Sequence, residues 1–268
     1  VVHKCSCKRR LPLAAERDLQ AFSHPRAGGT SRARHPRNRA GVYQYDACLS
    51  FPEAAVTDTL DIHAISAYLE GVLPPRHEVL REMEARARAS RFPIVGPAVG
   101  HLLYLVTRLG GARRVFELGS GFGYSTAWFA MGVRDNGGGE VTHVVWDEAL
   151  SNDARGYLRR LGLEEFVRYH VGEAVAQLRR ADGPFDIIFN DIEKDGYPAA
   201  LPVIKEHLAR GGLLVSDNML WSGRVLNSRA RDAATAGVRE FTRAVFADPD
   251  FSAVIVPLRD GVLLARKR

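Results

Sequence analysis

From residue 56 onward, apolar positions recur at helical spacing or gather in short runs; residues 1–55 show neither pattern. The spacing predicts a helix over 58–73, stopped by Pro74-Pro75, and a second over 76–91 that Pro75 opens. In the second, Glu82/Arg86 and Glu84/Arg88 stand at i,i+4 with the acid first, which suits an exposed face. A third helix is expected over 99–109, running into Gly110-Gly111. Strand signals then fall at 114–118, 140–146, 167–171, 185–190 and 213–216. They alternate with helical patterns at 124–133, 151–161, 173–180 and 198–210. After a last helix over 231–246, short apolar runs at 252–257 and 262–266 flank Arg259-Asp260-Gly261 as a hairpin.

Repeated βα units of this size imply a parallel sheet covered on both faces. The expected fold is therefore α/β: a Rossmann-like, doubly wound, mostly parallel seven-stranded sheet. N-terminal helices precede it and a C-terminal antiparallel hairpin closes it.

Composition divides the chain at the same place. Ten Lys/Arg against four acids in residues 1–55 account for the whole net charge of +6, and the remainder balances 27 against 27. Cys5, Cys7 and Cys48 also fall in this segment, so the body is neutral and cysteine-free. A C-x-C pair with one distant Cys is a poor zinc set. With few large apolar residues, 1–55 is read as a disordered basic extension and 56–268 as the functional domain. The extension is either an arm for RNA or an anionic surface, or dispensable. No apolar run is long enough to span a bilayer or to form a secretory signal, so a cytoplasmic protein without membrane contact is expected.

The first candidate chemistry lies at 115–125, VFELGSGFGYS: a buried strand, a glycine turn, then a helix. Gly119, Gly121 and Gly123 give G-x-G-x-G, whereas a dinucleotide fingerprint asks for G-x-G-x-x-G with a pyrophosphate at the helix start. Tyr124 would crowd a diphosphate there, and Glu117 would repel one. A carboxylate before the turn suits instead a ligand with an ammonium or sulfonium charge, as S-adenosylmethionine has. The strand VTHVVW runs into Asp147, which either accepts from ribose hydroxyls or caps the next helix. Trp146 either packs on an adenine or joins the core. The run Gly137-Gly138-Gly139 precedes a strand and is read only as a turn.

Two later strands end in acids. FDIIFNDIEKDGY, 185–197, supplies Asp191, Lys194 and Asp195; LLVSDNMLWSG, 213–223, supplies Asp217, Asn218 and Trp221. Carboxyl ends of parallel strands are where such sheets place ligands. Asp191, Asp217 and Asn218 offer three hard oxygens, leaving positions of an octahedral Mg²⁺ or similar divalent cation for water and substrate. For Asp195 a helix cap is the preferred reading. Lys194 is either catalytic or the ion-pair partner of Asp191 or Asp195.

In order and spacing, VFELGSGFGYS, VVWDEA, VGEA, FNDIEKDGY, SDNMLWSGRV and PLRDGVLLARK resemble the metal-dependent, class I S-adenosylmethionine O-methyltransferases of catechols and caffeoyl-coenzyme A, including bacterial relatives. The resemblance covers about residues 93–268. It implies that Val95, Glu117, Gly119, Tyr124 and Ser125 surround the methionine part of S-adenosylmethionine, with Gly121 in the same loop. It implies further that Asp147 grips the ribose and that Gly172, Glu173 and Ala174 line the adenine. Asp191, Asp217 and Asn218 would hold the metal, Lys194 would be the general base, and Trp221 with the loop 221–230 would border the acceptor. Glu193 departs from the pattern, because catechol-type members carry an aromatic residue there.

The expected activity is metal-assisted methyl transfer to a small hydroxylated, catechol-like acceptor. Alternatives are O-methylation of a hydroxylated tRNA base and a non-catalytic S-adenosylmethionine-binding protein. The neutral body argues against nucleic acid, and the complete metal set argues against the scaffold. A nicotinamide oxidoreductase would need the fingerprint that is absent. By the same resemblance a homodimer is expected.

Overall fold

The computed structural model describes residues 62–268. The reading of 1–55 as a basic extension, and the start of the helix predicted at 58, lie outside the described residues. Three helices come first, α1 (Ile62–Gly71), α2 (Glu78–Ser90) and α3 (Gly96–Leu109). Next come β1 (Arg114–Leu118), α4 (Tyr124–Asp135), β2 (Glu140–Val145), α5 (Glu148–Arg160), β3 (Val167–Val171) and α6 (Ala174–Arg180). Then follow β4 (Phe185–Asn190), α7 (Tyr197–His207), β5 (Leu208–Ser216), α8 (Ala233–Ala247), β6 (Phe251–Val256) and β7 (Val262–Lys267).

The seven strands lie in the order β3-β2-β1-β4-β5-β7-β6. β1 to β5 pair in parallel, and β7 is antiparallel to both its neighbours, as the sequence predicts. Alternation along the strands separates two apolar layers. Val115, Val141, Ile187 and Phe189 pack under α2 to α5, while Phe116, Leu118, Ile188 and Leu214 pack under α6 to α8. No helix among the described residues is long and apolar enough to cross a membrane.

Several boundaries differ from the sequence reading, each for a local reason. α2 begins at Glu78 because His77 Nδ1 caps the amide of Val79 at 3.2 Å. Its charges do not pair along the helix: Glu82 pairs with Arg160, Arg86 with Asp153, and buried Glu84 with Arg76. Hence the face read as solvated is partly an interface with α5. α3 starts three residues early, since Pro97 in its first turn has the fixed φ a helix needs. β5 starts at Leu208, where 209–212 bulge between the pairs Phe185–Leu208 and Ile187–Leu213, so this stretch is not helical. Asp195 is no cap; Gly196 takes that position in front of α7 and Asp195 lies exposed in a 3₁₀ turn.

β1 neighbours both β2 and β4, so the crossovers diverge at its carboxyl end. At this switch point a doubly wound sheet opens a crevice for a ligand.

Candidate active site

Backbone bonds beyond the ladder tie the loops at this end together. Asp191 N donates to Leu118 O at 2.9 Å, Ser120 N to Val144 O at 2.9 Å, Gly172 N to Val145 O at 2.9 Å, and Asp217 N to Asn190 O at 3.3 Å. The glycine loop, Asp147, the Gly172 segment, Asp191 and Asp217 therefore form one rim. Gly119 explains how closely the loops approach. Its φ is +89°, and a Cβ there would stand 2.5 Å from Asp191 O, so a larger residue would push β1 and β4 apart.

Glu117 lies fully buried beneath the loop, on the face packed against α4. Its Oε2 accepts from Thr126 Oγ1 at 2.5 Å, and its Oε1 is buried without a protein partner. Burial pushes this carboxyl up to about 7; the hydroxyls of Ser125, Thr126 and Ser120 offset only part of that, and Asp191 adds to the rise. Ser125 and the first-turn amides of α4 lie at the same edge, where a helix has no internal acceptors.

The Tyr124 ring does not crowd the loop as the sequence reading held. It is buried between α2 and α4, with its hydroxyl donating to Glu84 Oε1 at 2.8 Å. What Tyr124 presents to the loop is its backbone, so the barrier to a diphosphate rests on Glu117. Val95 sits buried just before α3. Gly121 lies in the turn, against the ring of Phe92.

On the β2 and β3 side, Trp146 is 72% exposed and is not a core residue. Asp147 Oδ1 caps α5, accepting from Ala149 and Leu150 amides at 2.7 and 3.2 Å, which leaves Oδ2 outward. Glu173 caps α6 with both oxygens, taking Val175 N at 2.8 Å and Ala176 N at 2.5 Å. With its side chain committed, Glu173 offers a ligand only backbone, beside Gly172 and buried Ala174.

At β4 and β5, Lys194 Nζ donates to Asp191 Oδ1 at 2.7 Å and to Ile192 O at 3.0 Å. The structure thus shows the ion pair that the sequence left as one option. Burial raises the Asp191 carboxyl and Lys194 opposes it. Asp217 is pushed up to about 7, first by burial and then by the charge of Asp191. Its Oδ1 is buried without a partner. Among the described residues no group of three or more His, Cys, Asp or Glu is placed to hold a metal. The possible donor set is two carboxylates and the amide of Asn218, whose nitrogen is committed to Asp260 Oδ2 at 3.1 Å, leaving the amide oxygen outside that bond. Trp221 begins the following 3₁₀ segment at a φ of +47°, its indole N–H buried without a partner. Glu193 is exposed.

Sequence reasoning overlooked three supports. Asp260, read only as part of a turn, also accepts from Ser222 N at 2.5 Å, while Arg259 of the same turn donates to Ile94 O at 2.7 Å. Tyr197 donates its hydroxyl between Asn190 O and Asp217 O, both at 3.1 Å. Gly237 of α8 lies against the Lys194 turn, where a Cβ would be 2.2 Å from Lys194 O. The Arg-Asp-Gly tripeptide was visible in the sequence, but no local signal gives its partners.

Comparison with known proteins identifies the family. A family profile described as O-methyltransferase matches residues 64–268. A probable O-methyltransferase of Mycobacterium tuberculosis is 34% identical over 173 residues, covering 64% of this chain and 76% of the relative. A putative O-methyltransferase of Mycobacterium marinum is 31% identical over 203 residues, covering 75% and 89%. Among solved structures, an O-methyltransferase from Bacillus cereus in complex with SAH superposes with a TM-score of 0.70 at 29% identity, over 76% of this chain and 97% of that one. An O-methyltransferase from Streptomyces achromogenes involved in tomaymycin synthesis, in complex with SAM, superposes with a TM-score of 0.69 at 27% identity, over 78% and 99%. The chain belongs to the O-methyltransferase family.

Proposed function

We propose that the protein transfers a methyl group from S-adenosylmethionine to a hydroxyl of a small, catechol-like acceptor, assisted by a divalent cation such as Mg²⁺. One observation carries this reading: Glu117, Asp191 and Asp217 bring three carboxylates to the ends of β1, β4 and β5, each raised by burial. Carboxylates so buried stay ionised only beside cations, and Lys194 already serves Asp191. A donor with an ammonium and a sulfonium, together with a divalent metal, supplies them. Solved relatives bound to SAH and SAM support the same donor.

In this reading Glu117 receives the donor's ammonium, and Ser125 with the first turn of α4 receives its carboxylate. Oδ2 of Asp147 takes the ribose hydroxyls, Trp146 covers the adenine from outside, and Gly172, Glu173 and Ala174 border it with backbone. Val95 closes the methionine side. Asp191, Asp217 and the Asn218 oxygen fit a hard cation in number and type. When bound, that cation would supply Lewis-acid stabilisation of the acceptor's developing negative charge.

Lys194 Nζ would hold the proton taken from the acceptor hydroxyl. A cation that shared Asp191 would loosen the ion pair that now holds Nζ at 2.7 Å from Oδ1 and free it to turn toward the acceptor. Trp221 would border the acceptor ring. The carboxylate of Glu193, exposed at the same turn, favours an acceptor with a cationic arm over a second aromatic ring. The expected homodimer would cover Tyr68 of α1, Val72 just after it, and Leu105 and Leu109 of α3, which are exposed apolar side chains.

The test is methyl transfer from S-adenosylmethionine to 3,4-dihydroxybenzylamine and to 3,4-dihydroxybenzoate, with Mg²⁺ and with excess chelator. Transfer that needs Mg²⁺ and prefers the amine is expected. Full activity in chelator would remove the metal from the reading.

A further inference from the structure

A polar row crosses the otherwise apolar sheet face beneath α4 and α5. Glu117 of β1 is the register partner of His143 of β2, which is the register partner of Tyr169 of β3. Thr126, in the first turn of α4, lies above them. Its hydroxyl donates to Glu117 Oε2 at 2.5 Å and stands 3.0 Å from His143 Nδ1. Thr126 and His143 are both fully buried, and neither has a part in the methyl transfer described above.

A threonine hydroxyl has one proton to give. Since that proton goes to Glu117, His143 must donate from Nδ1 to the Thr126 oxygen. Burial pushes the imidazole pKa down to about 3 and so keeps the ring neutral, which leaves Nε2 unprotonated and buried without a partner. Donors therefore run in one direction, from His143 through Thr126 to the carboxylate. The Tyr169 ring lies 5.3 Å from the His143 ring, and the Arg155 guanidinium lies over Tyr169 at 4.1 Å, which closes the far end against movement. Glu117 Oε1 is left as the buried acceptor without a protein partner.

We propose that Thr126 and His143 are positioning residues whose hydrogen-bond chain fixes one oxygen of Glu117 and so presents the other, Oε1, to the ammonium of the methyl donor. This rests on the donor assignment above. A buried charge held from one side is aimed as well as held: Thr126 fixes Oε2 from below, and Oε1 faces the loop, where the Ser125 and Ser120 hydroxyls soften its burial and an arriving ammonium would neutralise it. The role is specific to the amino-acid part of the ligand, because the nucleoside binds on the β2 and β3 side of the rim.

Calorimetry with two ligands tests this. S-adenosylhomocysteine carries the ammonium, whereas 5′-methylthioadenosine keeps the nucleoside and thioether without it. Thr126→Val is expected to weaken S-adenosylhomocysteine about ten-fold, as loss of a hydrogen bond to a charged group predicts. Affinity for 5′-methylthioadenosine should stay within about two-fold, a change of under about 0.5 kcal/mol. Thr126→Ser, which keeps the hydroxyl, should restore the difference. His143→Phe should shift it in the same direction by less, and carries the same comparison should Thr126→Val not fold. Unchanged S-adenosylhomocysteine affinity in Thr126→Val, or equal weakening of both ligands, overturns the proposal. A wild-type protein that binds neither ligand overturns the donor assignment itself, and the positioning role with it.

Discussion

Asp260 holds Asn218: its Oδ2 accepts from the Asn218 amide nitrogen at 3.1 Å, across the gap between the β6–β7 turn and the end of β5. The same carboxylate takes Ser222 N with its other oxygen, and the backbone of the turn adds Leu220 N to Asp260 O at 2.7 Å and Met219 N to Gly261 O at 3.0 Å. The hairpin tip thus fixes the orientation of the Asn218 amide and where the loop 221–230 starts. Metal sites depend on such outer partners. Asp260→Ala is therefore expected to lower Mn²⁺ affinity by about 10- to 100-fold, read by titration calorimetry. Unchanged affinity would show that Asp260 orients no metal ligand.

Glu117 gives a pH dependence of defined sign. Its folded-state pKa of about 7 lies above the ordinary 4.5, so the folded chain binds more protons than the unfolded chain between these values. Stability of the ligand-free protein from this group falls as pH rises from 4.5 to 7, by up to about 3 kcal/mol. Urea melts of wild type and Glu117→Gln across that window should differ in slope by this contribution. S-adenosylhomocysteine binding should strengthen over the same rise, because its ammonium needs the ionised carboxylate.

The Arg76–Glu84–Tyr124 cluster fastens the N-terminal helices to α4. Arg76 Nε reaches Glu84 Oε1 at 2.8 Å, and the Tyr124 hydroxyl reaches the same oxygen at 2.8 Å. Tyr124→Phe should destabilise by about 1 kcal/mol, the usual worth of one hydrogen bond. Arg76→Ala strands a buried carboxylate and should cost about 3 kcal/mol or more. Chemical denaturation distinguishes the two, and equal losses would mean that Arg76 contributes no more than one ordinary hydrogen bond.

Arg239 of α8 donates to four carbonyls of the loop 221–230: Val225 at 3.1 Å, Ala230 at 3.0 Å, Arg224 at 3.2 Å and Asn227 at 2.6 Å. A lysine ammonium has three donors on one point and cannot span them. Arg239→Lys should open the loop by about 1–2 kcal/mol, giving roughly ten-fold faster trypsin cleavage at Arg224, Arg229 or Arg231. KM for the acceptor should rise with it, more than kcat falls.

The parallel strands were legible because each is a short apolar run bounded by turn residues, and the hairpin because Arg259-Asp260-Gly261 separates two such runs. β1, β3 and β4 have the predicted limits. Helix starts were less legible: Asp147, Glu173 and Asp232 cap α5, α6 and α8, and a carboxylate at such a position reads equally as a ligand group. The pairing of α2 could not be read at all. Glu82, Glu84 and Arg86 have good partners four residues away, yet Glu82 and Arg86 pair with α5 far along the chain, and Glu84 takes Arg76, just before the helix, and Tyr124 of α4.

The sequence by itself determined the fold class, the switch point at VFELGSGFGYS and the acids that end β4 and β5, because alternation and turn chemistry are local properties. It also identified Glu117 as the residue that separates this loop from a dinucleotide turn. Only the tertiary structure decided what those residues face. It turned Tyr124 away from the loop, exposed Trp146, paired Lys194 with Asp191, and placed Thr126 and His143 behind Glu117 and Asp260 behind Asn218. The physical reason is that burial and hydrogen-bond partners depend on which strands become neighbours, and strand neighbours are not adjacent in sequence.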